Sequence, residues 1–370
     1  MIDSTSRDNA CWESNASCPL PVLEAETTTI LERPTMASPE PRPDTINALR
    51  YGADASFAML AGMQLDVFTP LSSGPLTAAQ MANAIGVGPE RLRLLLYALV
   101  AAGLLTEEDG HFSNTSEAQH FLVKDAPSYV GEMHGQLSSQ WGNKLKTAES
   151  LRTGIPQAHL DFAQAPQEEL EVFLRGMHAR GTGDAASTLA EHYDFSSATT
   201  LIDVGGGGGG LAIAFTKVCP HLQATVVDLP QVTPITQKIV DEAGATDRVT
   251  IRGVDAVHGP LPGRYDVAVV QNLLQVLSSE DAQRAVQHIG AAINPGGTIY
   301  IIGFMLDDSR LSPPSAVGAN LNWINIYDEG ESYTEHEHRA WLREAGFVDI
   351  ERADFFLAGG RSLITARKRG

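Results

Sequence analysis

The stretch TTLIDVGGGGGGLAIAFTKVCPHLQATVVDLPQVTPITQKIV, residues 199–240, decides the fold. An apolar segment runs into six consecutive glycines, a helix-like segment follows, and a second apolar segment ends at Asp228. A strand, a helix and a second strand in this order form a βαβ unit, which joins parallel strands. We therefore predict an α/β fold, with a parallel sheet and helices on both of its faces. Its later strands are expected at residues 249–252, 266–270, 298–304 and 362–366.

The glycine run and Asp228 together predict a nucleotide-like cofactor. A glycine loop lets a ligand approach the backbone, and an acid at the end of the second strand can bind ribose hydroxyls. Asp228 follows Gly210 by 18 residues. A dinucleotide and S-adenosylmethionine would both suit such a loop. Asp203, immediately before the loop, favours S-adenosylmethionine, because a carboxylate repels a pyrophosphate but can bind the amino acid part of a sulfonium cofactor.

Composition favours a protein of more than one domain that acts on small molecules. The chain has 370 residues, 43% of them hydrophobic, and its formal net charge is -19. Domains usually run to about 100–200 residues, so we expect two of them. A strongly acidic chain would be repelled by nucleic acid and by an acidic membrane surface. We therefore predict a small-molecule acceptor, no nucleic acid and no membrane.

The remaining global features predict a cytoplasmic protein. Cys11, Cys18 and Cys219 are an odd number of cysteines without metal-binding spacing, which indicates a reducing compartment and no metal site. No apolar run reaches the roughly 20 residues of a membrane span, and no secretory signal opens the chain. Residues 1–44, rich in Ser, Thr, Pro and Glu, are expected to be a disordered leader.

Residues 45–164 predict a mainly helical domain. Apolar residues recur at helical spacing between Ile46 and Met63, and two amphipathic helices joined at residues 86–89 follow. Residues 104–122 then predict a hairpin that turns at Asp109 and Gly110. Two helices followed by a hairpin form the pattern of a winged helix.

A winged helix can bind DNA or serve as a dimerisation platform. Residues 76–125 contain three cations, against the six anions Glu90, Glu107, Glu108, Asp109, Glu117 and Asp125. Because phosphate contacts require cations, we favour a homodimer formed through this domain.

Three motifs resemble the small-molecule O-methyltransferase family, which includes plant caffeate and bacterial polyketide O-methyltransferases. LIDVGGGGGG (201–210) resembles the family's cofactor loop, VVDLPQV (226–232) its ribose-binding strand end, and NPGG (294–297) the turn before its next strand. The resemblance covers nearly the whole chain after the leader. It implies a Rossmann-like class I methyltransferase domain over residues 165–370, S-adenosylmethionine as the cofactor, and an obligate dimer.

The expected cofactor site contains Asp203, Gly205, Gly207, Asp228, Leu229, Asp255, Ala256 and Gln271. The resemblance implies that the two glycines lie near the amino acid end of the cofactor, Asp228 at its ribose and Asp255 at its adenine. Two alternatives stay open, since Asp228 could cap a helix and Asp255 could be an ordinary solvated loop residue.

The expected acceptor site lies on two helices. FLRGMHAR (173–180) resembles the family's helix that lines the acceptor pocket, and a second acceptor-facing helix corresponds to residues 322–327. The expected acceptor-binding residues are Met177, Arg175, Arg180, His134, Asn322, Trp323 and Tyr327.

The segment LQVLSSED (274–281) departs from the family at the chemistry. Gln275 stands where the family has its catalytic base histidine, and Gly303 and Ser332 stand where it has the two glutamates that orient that histidine. A base is needed only if the attacking atom must lose a proton, and a general base typically accelerates such a step by about 10²–10⁴-fold. We therefore predict that Gln275 orients the acceptor and does not deprotonate it.

Three functions follow from this departure. The main hypothesis is S-methylation of a thioether acid, because a thioether has no proton to lose. In this respect the chain resembles the methylthiohydroxybutyrate S-methyltransferases of dimethylsulfoniopropionate synthesis, relatives of the O-methyltransferase family, and the resemblance implies an acceptor of the 4-methylthio-2-hydroxybutyrate type. Arg175, His178 and Arg180 would then hold the acceptor's carboxylate. The alternatives are an O-methyltransferase that works by proximity or with His134, His178 or Tyr129 as its base, and a non-catalytic binder of S-adenosylmethionine.

Overall fold

The computed structural model describes residues 41–126, 128–162, 164–179, 182–353, 355, 357 and 360–370. By Cα distances the chain divides between Gly52 and Ala53, and the two parts are described separately. The helices are α1 (Asp44–Gln64), α2 (Ala78–Ile85), α3 (Pro89–Ala101), α4 (Ser116–Phe121), α5 (His134–Lys144), α6 (Thr147–Thr153), α7 (Gln167–Ala179), α8 (Thr182–His192), α9 (Gly210–Val218), α10 (Thr233–Glu242), α11 (Ser279–Ala292), α12 (Pro314–Ile326) and α13 (Glu335–Glu344). The strands are β1 (Leu76–Thr77), β2 (Leu105–Glu108), β3 (His111–Asn114), β4 (Thr200–Val204), β5 (Gln223–Asp228), β6 (Val249–Gly253), β7 (Tyr265–Gln271), β8 (Ile293–Gly303), β9 (Phe347–Arg352) and β10 (Ser362–Lys368).

The predicted pair of helices and the predicted hairpin are present after Ala53. A capping box between Thr77 and Gln80 starts α2, and Gly86 ends it in the left-handed conformation that glycine adopts most easily. β2 and β3 pair as an antiparallel hairpin, and β1 adds a third strand beside β3. These elements enclose a core that includes Phe68, Met81, Leu96 and Phe112.

Within the described part of the chain, the large sheet has seven strands in the order β6-β5-β4-β7-β8-β10-β9. Strands β4 to β8 are parallel, as predicted, but β10 runs antiparallel to both β8 and β9. The predicted parallel sheet therefore ends in an antiparallel edge that was not predicted. β9 was not predicted, because its buried and more exposed residues alternate along an edge strand and leave no continuous apolar run. The NPGG segment also differs from the prediction, since it lies within β8 instead of preceding it.

Apolar side chains cover both faces of the sheet. Leu201, Val226 and Val269 face a core shared with α7 to α10, whereas Ile202 and Val270 face a core shared with α11 and α13. This alternation with a period of two explains why the central strands read as continuous apolar runs. α12 packs against α5 and α6.

Within the described ranges, every helix is too short or too polar to cross a membrane. The same ranges contain no cluster of three or more His, Cys, Asp or Glu side chains arranged to hold a metal ion.

Candidate active site

The glycine loop after β4 forms a cradle at the carboxyl end of the sheet. Gly205, Gly207 and Gly209 have φ angles of 68°, 53° and 75°. Residues other than glycine rarely adopt this region of backbone conformation. At Gly206 a Cβ atom would lie 2.8 Å from the carboxyl carbon of Asp203. The loop therefore needs these glycines both for its backbone path and for close approach to the carboxylate.

Asp203 is a buried carboxylate with a free oxygen. The residue is 1% exposed, and the backbone N–H of Ala212 donates to its carboxylate. Its Oδ2 has no hydrogen-bond partner in the described part of the chain. Burial, with a smaller contribution from the charge of Asp228, raises the pKa of Asp203 to about 7. Such a group is poised to accept a hydrogen bond or a positive charge.

Asp228 is bonded to the glycine loop and not to a helix end. Its Oδ2 accepts from the N–H of Gly207 and its Oδ1 from the N–H of Leu229, both at 2.7 Å. Burial nevertheless raises the pKa of Asp228 to about 6. α10 begins at Thr233 with Val232 as its N-cap residue, so the helix-cap alternative for Asp228 was wrong.

Asp255 follows β6 and has partners of its own. Its Oδ1 accepts from the N–H of Val257, and its Oδ2 pairs with His258 Nδ1 at 2.9 Å. Burial alone would raise the pKa of Asp255, but these hydrogen bonds outweigh it and the pKa is lowered. The carbonyl of Ala256 lies 2.8 Å from the Nδ1 atom of His288. Asp255 is thus an ionised loop acid, which suits either of its two predicted roles.

The end of β7 carries a second buried group with unused hydrogen-bonding capacity. Both the Oε1 and the Nε2 atoms of Gln271 are buried without a partner within the described chain. Asn272, the next residue, has a φ of 58°, which is uncommon for a residue other than glycine. Buried amides normally have partners, so the amide of Gln271 is a candidate to bind a ligand at this edge of the sheet.

Gln275 is 5% exposed and its amide is held in one orientation. The N–H of Phe304 donates to Gln275 Oε1 at 3.2 Å, and Gln275 Nε2 donates to Asn272 Oδ1 at 3.4 Å. A Cβ atom on Gly303 would lie 2.6 Å from Gln275 Oε1. The glutamine amide therefore occupies the space in which a side chain at position 303 would begin.

Ser332 is hydrogen-bonded to α12, which contains residues predicted to face the acceptor. Its hydroxyl accepts from the indole N–H of Trp323 at 3.3 Å, and its backbone N–H donates to Asn320 Oδ1. Positions 303 and 332, at which the resemblance predicts orienting glutamates, thus lie close to Gln275 and Trp323, respectively.

Five half-buried rings form a continuous row beginning next to Gln275, here termed the aromatic strip. Its members in order are Phe304, Trp323, Tyr327, Phe162 and Phe173, with successive ring centroids 6.0, 5.9, 6.3 and 5.4 Å apart. Burial raises the pKa of Tyr327 to about 12, so its hydroxyl stays protonated. Trp323 and Tyr327 were predicted as acceptor-binding residues, and Phe173 opens the stretch predicted to line the acceptor pocket. Phe304 and Phe162 were not predicted, because their segments show no shared pattern in the sequence.

Two other predicted acceptor residues, Asn322 and Arg175, differ in whether their polar groups already have partners. Asn322 is buried with a free Oδ1, as expected of a ligand-binding amide. Arg175 instead donates to both Glu171 and Glu242, and these carboxylates raise its pKa. Its charge is already neutralised, so the structure does not bring it to the site as a carboxylate clamp.

The remaining predicted residues are less informative. His134 is the half-buried first residue of α5, and the ring of Tyr129 covers Gly131. Met177 and His178 lie near the end of α7, and the structure describes only the backbone of these two residues. Arg180 lies outside the described residues.

Comparison with known proteins places these features in context. Residues 152–348 match the family model of the O-methyltransferase domain, and residues 49–124 match that of the O-methyltransferase dimerisation domain. The chain is 32% identical over 335 residues to the tetracenomycin polyketide synthesis 8-O-methyl transferase of Streptomyces glaucescens, covering 88% of this chain and 97% of that protein.

Two further matches agree. The 3-hydroxy-5-methyl-1-naphthoate 3-O-methyltransferase of Streptomyces sahachiroi is 29% identical, over 88% of this chain and 95% of that protein. The structure of human N-acetylserotonin methyltransferase in complex with S-adenosylmethionine superposes with a TM-score of 0.71 at 22% identity, covering 90% of this chain and 100% of that chain. At this identity the superposition shows a shared fold.

Proposed function

The chain belongs to the O-methyltransferase family, as its motifs predicted, and on that premise we propose that it methylates a hydroxyl of an aromatic, polyketide-type small molecule. Its enzyme class is that of S-adenosylmethionine-dependent methyltransferases. The non-catalytic alternative is therefore set aside. The acceptor, the methylated atom and the residue roles below are the proposal.

The aromatic strip is the observation that supports an aromatic acceptor. It provides a row of ring faces and edges that begins beside Gln275 and ends at Phe173. Aromatic pairs favour stacked or edge-to-face contacts at such separations, with about 0.5–1.5 kcal/mol per pair beyond area burial. A planar polycyclic acceptor could extend along this row with one oxygen at Gln275.

S-methylation of a thioether acid, the main hypothesis from the sequence, lacks support. The two relatives described above are named as O-methyltransferases, one of tetracenomycin polyketide synthesis and the other of a hydroxynaphthoate. A thioether acid would also need a cation for its carboxylate, and Arg175 is occupied by two glutamates. The O-methyltransferase alternative agrees better with both observations.

The cradle residues fit S-adenosylmethionine. Asp203 Oδ2 and the Gln271 amide offer buried, unused hydrogen-bonding atoms beside the glycine loop, and a Cβ at Gly206 would fill that space. Asp203 would then hold the amino acid part, Asp228 the ribose and Asp255 with Ala256 the adenine. When bound, the cofactor supplies an electrophilic methyl group on a positively charged sulfur.

Gln275 acts on the acceptor as a positioning residue. Its Oε1 is used by the N–H of Phe304, so the amide presents N–H toward further ligands. An amide has no useful basicity near neutral pH, so it can orient an oxygen but not take its proton. Positioning alone can supply several kcal/mol of the barrier reduction in a two-substrate displacement.

Two further features belong to the proposal. The dimerisation domain supports a homodimer. The exposed apolar residues Ile46, Leu49 and Tyr51 of α1 would contribute to its interface. The cytoplasmic location stays a prediction.

Methyl-labelled S-adenosylmethionine tests the function directly. The purified protein would be incubated with hydroxynaphthoates, hydroxynaphthoquinones, thioether acids and amines, and the products identified by mass spectrometry and NMR. We expect methyl ethers. Sulfonium products alone would overturn the proposal. Asp228→Ala should abolish turnover, whereas Asp241→Asn, at an exposed aspartate of α10, serves as the matched control.

A further inference from the structure

The polarity of the Gln275 amide is set by the backbone. Because the N–H of Phe304 donates to Oε1, the carbonyl end faces β8 and the NH₂ end faces away from it. One Nε2 hydrogen is directed to Asn272 Oδ1, at the long distance of 3.4 Å. The second Nε2 hydrogen can donate to a ligand. The first hydrogen, which forms only this long bond, can be shared between Asn272 and a ligand. The mouth of β7 therefore offers a hydrogen-bond donor where the family places a proton acceptor.

The segment that begins at Gly330 lies against the backbone of Gln275. Gly330 lies against its backbone carbonyl, and a Cβ at Gly330 would be 2.7 Å from that oxygen. In the same segment Glu331 pairs with Arg310, and the hydroxyl of Tyr333 donates to the carbonyl of Leu277. The titratable side chains of Glu331 and Tyr333 in this segment therefore have hydrogen-bond or ion-pair partners other than Gln275.

From this geometry we propose that the enzyme binds its acceptor as an oxyanion, and that the acceptor class is an acidic hydroxyl, an enol or phenol conjugated to a carbonyl. The proposal rests on the function proposed above. An N–H donor stabilises an oxyanion more than a neutral hydroxyl, because hydrogen bonds to charged groups are roughly twice as strong. The positive sulfur of the cofactor would attract the same anion.

The chemical step then balances without a protein base. The acidic hydroxyl loses its proton to water before or during binding. A lone pair of the oxyanion forms the new oxygen–carbon bond as the methyl–sulfur bond breaks, and that electron pair stays on sulfur. An anion and a sulfonium give a neutral ether and a neutral thioether, so no group at positions 275, 303 or 332 has to accept a proton.

Optical spectroscopy of a bound acceptor tests the proposal without turnover. The probes are 2-hydroxy-1,4-naphthoquinone, an acidic enol, and 2-naphthol, an ordinary phenol of similar size, each titrated into the protein with S-adenosylhomocysteine. Because phenolates and enolates absorb at longer wavelengths than their neutral forms, the spectrum reports the ionisation state. We expect the quinone to bind as its anion, with an apparent pKa lowered by about one unit, a tenfold shift in the ionisation equilibrium.

Two variants make the result specific. Gln275→Glu replaces the donor with a negative charge and should raise the apparent pKa of the bound quinone and weaken its binding at least about tenfold. Gln287→Glu, at an exposed glutamine of α11, makes the same change of charge and should leave both unchanged.

The outcomes separate this inference from the proposed function. Methyl ether formation with at least tenfold higher kcat/KM for the acidic enol than for 2-naphthol supports both. Methyl ethers formed equally well from both probes, or a quinone bound in its neutral form, would overturn the oxyanion inference and leave O-methylation standing. Sulfonium products from the thioether acids of the panel above, with no methyl ether from either probe, would overturn the proposed function itself.

Discussion

Gly303→Ala would place a methyl group against the amide of Gln275, and its effect should depend on that side chain. The new Cβ would lie 2.6 Å from Gln275 Oε1, well inside van der Waals contact. The flexible amide would move away, and its hydrogen bond from the N–H of Phe304 would be lost. An unsatisfied buried donor costs about 1–3 kcal/mol.

The backbone itself opposes this loss only slightly. Gly303 does not have a positive φ, so alanine fits its conformation, and such a Gly→Ala change stabilises by about 0.4–1 kcal/mol through the unfolded state. We expect a net destabilisation of about 1 kcal/mol in the wild-type background. In Gln275→Ala the donor is already unpaired, so Gly303→Ala should be neutral or slightly stabilising. The coupling energy is then about 1–2 kcal/mol.

Urea unfolding of the four proteins in this cycle, at one fixed concentration because dimers unfold in a concentration-dependent manner, measures the coupling. Tryptophan fluorescence provides the signal, and the slopes should agree among variants. An equal cost of Gly303→Ala in both backgrounds would show that the Gln275 amide does not fill this space, and the fixed amide polarity would lose its basis.

Three further predictions concern the cofactor and acceptor. Gly206→Ala forces a Cβ to within 2.8 Å of the Asp203 carboxyl and should weaken S-adenosylhomocysteine binding more than tenfold by calorimetry; unchanged affinity would argue against the cradle. The free protein holds a proton on Asp203 up to about pH 7, and a nearby cofactor cation lowers that pKa, so binding at about pH 6 should release protons and at about pH 8 should not. Calorimetry in buffers of different ionisation enthalpy measures this proton release. The variant Asp203→Asn should release fewer protons. Proton uptake on binding at about pH 6 would contradict the predicted direction. Tyr327→Ala should raise KM for aromatic acceptors about tenfold with cofactor affinity unchanged, whereas Tyr327→Phe, which keeps the ring, should stay within about twofold; an equal loss in both would assign the effect to the hydroxyl.

Much of the cofactor half of the site follows from local sequence. Gly205, Gly207 and Gly209 adopt left-handed φ angles that the glycine run suggests, and Asp228 ends the second strand as predicted. Both features depend on backbone conformation within a short segment, which residue types control directly. The antiparallel edge formed by β9 and β10 was missed for the opposite reason, because strand direction depends on pairing between distant segments.

The acceptor half could be predicted only in outline. The sequence by itself determined the βαβ core and the acidic strand end at Asp228, and through the family resemblance it predicted Gln275 in place of a base. The tertiary structure decided that Gln275 fills the space above Gly303, that Arg175 is neutralised by two glutamates, and that rings from four segments form one strip. Backbone preferences act over a few neighbouring residues, whereas the contacts that choose an acceptor join side chains up to 165 positions apart, as in Phe162 and Tyr327, and exist only once the chain is packed.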